Sequence, residues 1–241
     1  MSEPQGRGPA WTEERRRSDE GRRGPRAPRR RAGNIVVLDY GSGNLRSALR
    51  ALQRAGADAI VTADADAALG ARGLVVPGVG AFAACMAGLR AVRGDEIIAK
   101  RLAGSRPVLG ICVGMQVLFA EGFEHGRRTA GCGVLPGAVD RLEAPVLPHM
   151  GWNTVSAPTG TRLLAGTGPG ERFYFVHSYA VRSWPPPAAG ETRGPLLTWA
   201  VHGQPFVAAV EDGALCATQF HPEKSGDAGA ALLANWLELI A

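Results

Sequence analysis

The sequence predicts an α/β fold, a mostly parallel open sheet flanked by helices with antiparallel extensions. Three observations predict it. Short apolar, β-branched runs end in glycine turns; segments with apolar residues at helical spacing follow them; and beyond Gly131 the texture changes to short β segments between Gly and Pro turns. Strands alternating with helices imply a parallel sheet covered on both faces.

The first buried strand is NIVVLDY, from Asn34, ended by GSGN. Leu45 to Arg54 carries apolar residues at helical spacing and closes at Gly56. GLVVPGVG gives another strand that runs into a glycine-rich loop. Phe82 to Val92 and Asp95 to Leu102 read as helices, Pro107 to Ile111 as a third strand, and Gly114 to Glu121 as a helix leaving directly from a turn at Cys112. After Gly131, VDRLE, RFYFVHSYAV, LLTWAV, PFVAAVE and LCATQF fit hairpins or an antiparallel extension of the same sheet. Ser183 to Pro195 reads as a surface loop, because its prolines cannot donate to a ladder. Gly226 to Leu239 is amphipathic and closes the fold as a helix. With no repeat and no linker inside 34–241, one domain is expected there.

The 241 residues, 45% of them apolar, are enough for a packed core. No run reaches the roughly 18 apolar residues that cross a bilayer, and charge stands where a signal peptide has its apolar stretch, so no membrane partner and a cytoplasmic location are expected. The four cysteines are far apart, form no CxxC pair and have no adjacent histidine at metal-ligand spacing, which predicts reduced thiols and no metal. The net charge of +5 lies in residues 1–33, where ten arginines face five acids; the remainder balances at 17 against 17. An Arg/Pro/Gly-rich tail without aromatic interleaving is expected to be disordered, and nucleic acid is not expected as a partner.

The chemistry centres on GICVG. A strand turning sharply into a helix, with glycines around the turning residue, pushes Cys112 outward and aims free N–H groups at it, the geometry of a nucleophile elbow. A buried core cysteine is the alternative. A thiol nucleophile needs a base with an orienting partner. Among the five histidines, His125 sits in a loop, His149 before MGWN and His202 at a turn, and His177 inside FYFVHSY suits a structural hydrogen bond; His221 in TQFHPEKSG ends an apolar strand with Glu223 two residues on. In extended chain those two point to one side. PGVGAF, Pro77 to Phe82, lacks the Lys-Ser/Thr ending of a phosphate loop, so its N–H groups read better as an oxyanion hole built near Val79 and Val113.

GICVGMQ, TQFHPEKSG and PGVGAF together resemble class I glutamine amidotransferases; DYGSGNLRS, PHMGWN and YFVHSY narrow the resemblance to the glutaminase subunit of imidazole glycerol phosphate synthase. The resemblance covers 34–241 and implies the flavodoxin-like fold of that class. It implies a Cys112–His221–Glu223 triad that hydrolyses glutamine to glutamate and ammonia, with an oxyanion loop of Gly78, Val79, Gly80 and Val113 that rearranges before Val79 can donate. Gln116, Glu124, Ser178 and Tyr179 resemble substrate-gripping positions, and Asn44, Met150, Trp152 and Lys224 resemble interface or gate residues. The implied partner is a (β/α)8 cyclase subunit that uses the ammonia in histidine biosynthesis, making imidazole glycerol phosphate and AICAR from PRFAR; no cofactor is implied. Two other expectations stand beside it: a glutaminase serving another synthase, and a non-catalytic binding subunit.

Overall fold

A computed structural model describes Met1 and residues 35–168, 170–186 and 194–241. The expected tail, 1–33, lies outside the described residues but for Met1, as does the middle of the proline-rich loop, 187–193. Residues Ala32–Ala241 form one unit. Among the described residues no helix is long and apolar enough to cross a membrane.

In chain order the elements begin β1 Ile35–Leu38, α1 Leu45–Arg54, β2 Ala59–Thr62, α2 Ala65–Gly70, β3 Gly73–Gly78, α3 Phe82–Ala91, α4 Gly94–Ala103 and β4 Val108–Cys112. They continue α5 Val113–Gln116, β5 Phe119–Glu124, β6 Arg127–Ala130, β7 Leu135–Arg141, β8 His149–Thr154, β9 Arg172–His177 and β10 Tyr179–Ala180. Last come β11 Leu196–His202, β12 Gln204–Asp212, β13 Leu215–Thr218, a 3-10 turn at Pro222–Lys224, and α6 Gly226–Leu239.

A seven-stranded sheet, ordered β11-β12-β13-β4-β3-β1-β2, forms the frame. Its strands from β13 to β2 run parallel, and β12 and β11 extend it antiparallel. Strands β1, β3, β4 and β13 are buried along their whole length, as a sheet covered on both faces requires. In register, Gly78 lies beside Cys112 and Thr218 beside Ile111, so the carboxyl ends of β3, β4 and β13 meet at one edge. Ligands of open α/β sheets bind at that edge. A packing constraint fixes the opposite end: the Arg101 guanidinium, fully buried, donates to the carbonyls of Ala68, Leu69, Ala71, Arg72 and Pro107. Those acceptors include carbonyls that α2 leaves unpaired at its end.

The sequence expectation departs from the structure in four places. It missed β2, α2, β5 and β6, and it read PHMGWN as a motif where β8 forms. The helix expected over Gly114 to Glu121 stops at Gln116, because the returning chain takes its carbonyls: Cys132 N donates to Val117 O, Gly133 N to Phe119 O, and Val134 and Leu135 N to Leu118 O. Gly131 allows that approach, since a Cβ there would stand 2.1 Å from Phe119 O. Only β11 and β12 extend the main sheet; β10, β7, β5 and β6 form a second sheet and β8 and β9 a third. RFYFVHSYAV therefore changes sheets at Ser178, whose carbonyl accepts from Leu142 N.

Candidate active site

Cys112 ends β4 at φ 56°, ψ −115°, a conformation that costs a non-glycine residue about 1–3 kcal/mol. The surrounding backbone leaves it no alternative. A Cβ at Gly114 would stand 1.8 Å from Val76 O, one at Gly78 would stand 2.4 Å from Gly114 N, and one at Gly110 would stand 2.8 Å from Gly114 O. The glycines thus let β3 and the turn interlock, and the turn holds the cysteine out. Cys112 is 3% exposed, and Gln219 Nε2 donates toward its sulfur at 3.7 Å.

His221 follows β13 and is pinned to β9. Its N–H donates to Tyr174 O at 2.9 Å, and its carbonyl accepts from Ser225 Oγ at 2.6 Å. Its Nδ1 lies 2.6 Å from Glu223 Oε1, with both side chains 1% exposed. The two side chains meet, but not through extended chain as expected: His221 is extended, and Pro222 starts a 3-10 turn that swings Glu223 back. A carboxylate accepts, so Nδ1 carries a proton. Nε2 is buried without a hydrogen-bond partner among the described residues, and Cys112 lines the same cavity. Burial would lower His221, but Cys112 and Glu223 beside it outweigh burial and push it up to about 9.

Asn44, expected at an interface or gate, stands beside the His221–Glu223 pair. Its amide donates to the same Glu223 oxygen that faces His221. A buried carboxylate needs such donors, and this one keeps Oε1 aimed. Sequence reasoning missed this role because the two residues lie 179 positions apart.

The glycine loop is held shut on itself. Val79 N donates to Ser42 Oγ at 3.0 Å, and Val79 O accepts from Cys85 Sγ at 3.3 Å. Burial pushes the Cys85 thiol up, which keeps it a neutral donor. Both polar atoms of the Val79 residue are therefore engaged outside the pocket, and the N–H expected in an oxyanion hole is committed to a serine. Neither Ser42 nor Cys85 was anticipated; Ser42 stands inside DYGSGN, and Cys85 reads as a core residue of a helix.

One cavity of about 310 Å³ brings Cys112, His221, Gln116, Glu124, Ser178 and Tyr179 together, bordered by Val79, Gly80, Val113 and Lys224. Gly78 packs under the turn and Glu223 sits behind His221; neither lines this cavity. Gln116 Nε2 is spent on Tyr179 O at 2.8 Å and Gln219 Oε1 at 3.0 Å, which leaves its oxygen for a ligand. Glu124 accepts from Phe82 N at 2.7 Å. Met150 and Trp152 lie on β8 at 66% and 53% exposure, which excludes a core role for either. Lys224 reaches over the Tyr174 ring, 5.8 Å from its centroid. Gln219, two residues before His221, is the contact that the TQFHPEKSG motif itself contained and the reading overlooked.

The set can do one kind of chemistry well. A thiol beside an imidazole, itself held by a carboxylate, attacks a carbonyl carbon and returns the proton to the leaving group.

The family described as glutamine amidotransferase class-I matches residues 36–239. Among curated proteins, imidazole glycerol phosphate synthase subunit HisH of Nocardia farcinica is 68% identical over 205 residues, covering 85% of this chain and 97% of that protein. The proteins of the same name from Thermobifida fusca and Streptomyces coelicolor are 65% and 61% identical, over 84% and 87% of this chain and 97% and 95% of their own. A solved structure titled as a glutamine amidotransferase superposes with a TM-score of 0.67 at 23% identity, over 86% of this chain and 99% of that one; it shows the fold alone.

Proposed function

The chain belongs to the class I glutamine amidotransferase family, and from that premise we propose that it is the glutaminase subunit of an imidazole glycerol phosphate synthase in histidine biosynthesis, its domain spanning 34–241. The observation that carries the chemistry is Cys112 on a strained turn in the cavity of His221, whose Nδ1 is bonded to Glu223.

The Cys112 sulfur, its proton held on His221 Nε2, attacks the side-chain amide carbon of glutamine. The carbon–nitrogen bond then breaks as His221 passes that proton to the leaving nitrogen, and ammonia departs from a γ-glutamyl thioester. Water, deprotonated by His221, attacks the thioester; glutamate leaves and the thiol is restored. Glu223, steadied by Asn44, stabilises the imidazolium at each transfer. Gln116, Glu124, Ser178 and Tyr179 grip the substrate. The oxyanion needs donors, and Val113 N stands at the turn; Val79 N adds a second once it leaves Ser42.

Free ammonia is mostly ammonium at neutral pH and a poor nucleophile, so direct transfer to a cyclase subunit, a (β/α)8 barrel, is the chemically sensible route. The exposed Met150 and Trp152 with Lys224 support a partner face beside the cavity. In the complex, Cys112→Ala abolishes synthesis from glutamine and leaves synthesis from added ammonia intact; loss of both refutes the assigned role.

A further inference from the structure

Three histidines that the chemistry does not use cluster at the cavity: His177 lines it, and His149 and His202 lie behind. His149 lies on His202 at 4.2 Å between ring centroids and on Phe175 at 4.8 Å. Its Nδ1 stands 3.0 Å from His177 Nε2, and His177 Nδ1 stands 3.0 Å from Tyr179 O. A carbonyl only accepts, so His177 carries its proton on Nδ1. Its Nε2 therefore accepts, His149 donates from Nδ1, and His149 Nε2 accepts from the Asn153 amide at 3.2 Å. Every hydrogen is thereby assigned, and the chain runs one way, from Asn153 through both imidazoles to the Tyr179 carbonyl. Burial, joined by His202, pushes His149 down to about 4, and burial, joined by His149, pushes His177 down to about 3, so both rings stay neutral at neutral pH.

The end point of this chain is the carbonyl that also anchors Gln116. Its first imidazole, His149, adjoins exposed Met150 on β8, which the pairing with β9 sets opposite the cavity residue Val176. We propose that His149 and His177 are positioning residues: a neutral two-imidazole link that fixes the Tyr179 carbonyl and, through it, the Gln116 wall against which glutamine binds. The inference rests on the glutaminase reading above.

The test uses the full chain with its cyclase partner and four variants. His177→Phe removes the donor to Tyr179 O; His149→Phe removes the donor that fixes the His177 tautomer. His177→Asn and His149→Asn each place an amide nitrogen where Nδ1 stood. Both Phe variants raise the KM for glutamine about tenfold with kcat within about threefold, and both Asn variants return KM to within about threefold of wild type. His149 does not line the cavity, so an effect of His149→Phe on KM that Asn reverses, at equal melting temperature, is not what loss of packing gives. Phe variants with wild-type KM, or Asn variants as impaired as Phe ones, overturn the inference while the glutaminase reading stands. A wild type that turns over no glutamine overturns both. Nitrogen NMR of the wild type needs no variant: it shows both rings as Nδ1-protonated at pH 7, and Nε2-protonated rings contradict the link.

Discussion

Replacing Ser42 by alanine should switch on a glutaminase that the free chain otherwise holds back. Val79 N–H has a single acceptor, the Ser42 hydroxyl at 3.0 Å, and Gly43 lets the valine side chain lie close, since a Cβ there would stand 2.9 Å from Val79 Cγ2. A neutral hydrogen bond of this kind contributes about 1 kcal/mol net, so its loss shifts the loop about fivefold toward orientations in which Val79 N–H is free. Basal turnover of the chain without a partner should rise about fivefold. Cys85→Ala adds a smaller increment, because a thiol is a weaker donor. If the partner opens this bond on activation, as proposed, the complex should change less than about twofold. The assay is glutamate release by the isolated chain and by the complex, with melting curves beside it. Unchanged basal turnover, or an equal fall in both assays, refutes the reasoning that Ser42 withholds the Val79 donor.

Three further outcomes follow, two at His221 and one at the far end of the sheet. Glu223→Gln keeps the acceptor for His221 Nδ1 but not the charge, so the His221 titration seen by NMR should fall by about 1–2 units from about 9, and kcat should fall about 10²- to 10⁴-fold. The wild-type value lies above the 6.5 of an unfolded histidine, so His221 stabilises the fold fully below pH 6.5 and loses that contribution, about 3 kcal/mol at most, as pH rises through 9; urea melts should show a shallower decline in the variant. Burial and the neighbouring Arg106 lower Arg101 to about 10, still charged at pH 7, and Arg101→Met takes a donor from five carbonyls, of which Leu69 O keeps Arg106 and Pro107 O keeps Leu74 N. It should cost about 3 kcal/mol, roughly 10 °C in melting temperature, with glutamine turnover at 25 °C preserved.

The sequence made legible what depends on short range. Val36, Val75 and Leu109 sit in runs whose apolar character alone marks strands buried on both faces, and GICVG carries its own steric logic because Gly110 and Gly114 are needed within two residues of Cys112. What it hid depends on contacts set by topology. Asn44 meets Glu223, and Gln116 meets Tyr179 and Gln219, only after the sheet brings its strand ends to one edge. The early stop of the helix after Cys112 came from the same source: a returning strand competes for the carbonyls of Val117 and Leu118, and no local propensity reports that competitor. His177 was read correctly as structural, but its partner His149, 28 residues away, gave no signal in the sequence. His221 and Glu223 are joined by a turn rather than an extended strand, because Pro222 begins a 3-10 turn between them.

The central claim is that Cys112 attacks a glutamine side chain with His221 as its base. Treating the complex with a glutamine-mimicking electrophile and mapping the adduct by peptide mass spectrometry tests it most directly. One adduct at Cys112, prevented by excess glutamine and formed much more slowly in His221→Asn, is the predicted result. Labelling at Cys85, Cys132 or Cys216 instead, or an unlabelled Cys112 in a complex that binds glutamine, would contradict it and point to a binding subunit with an inert turn.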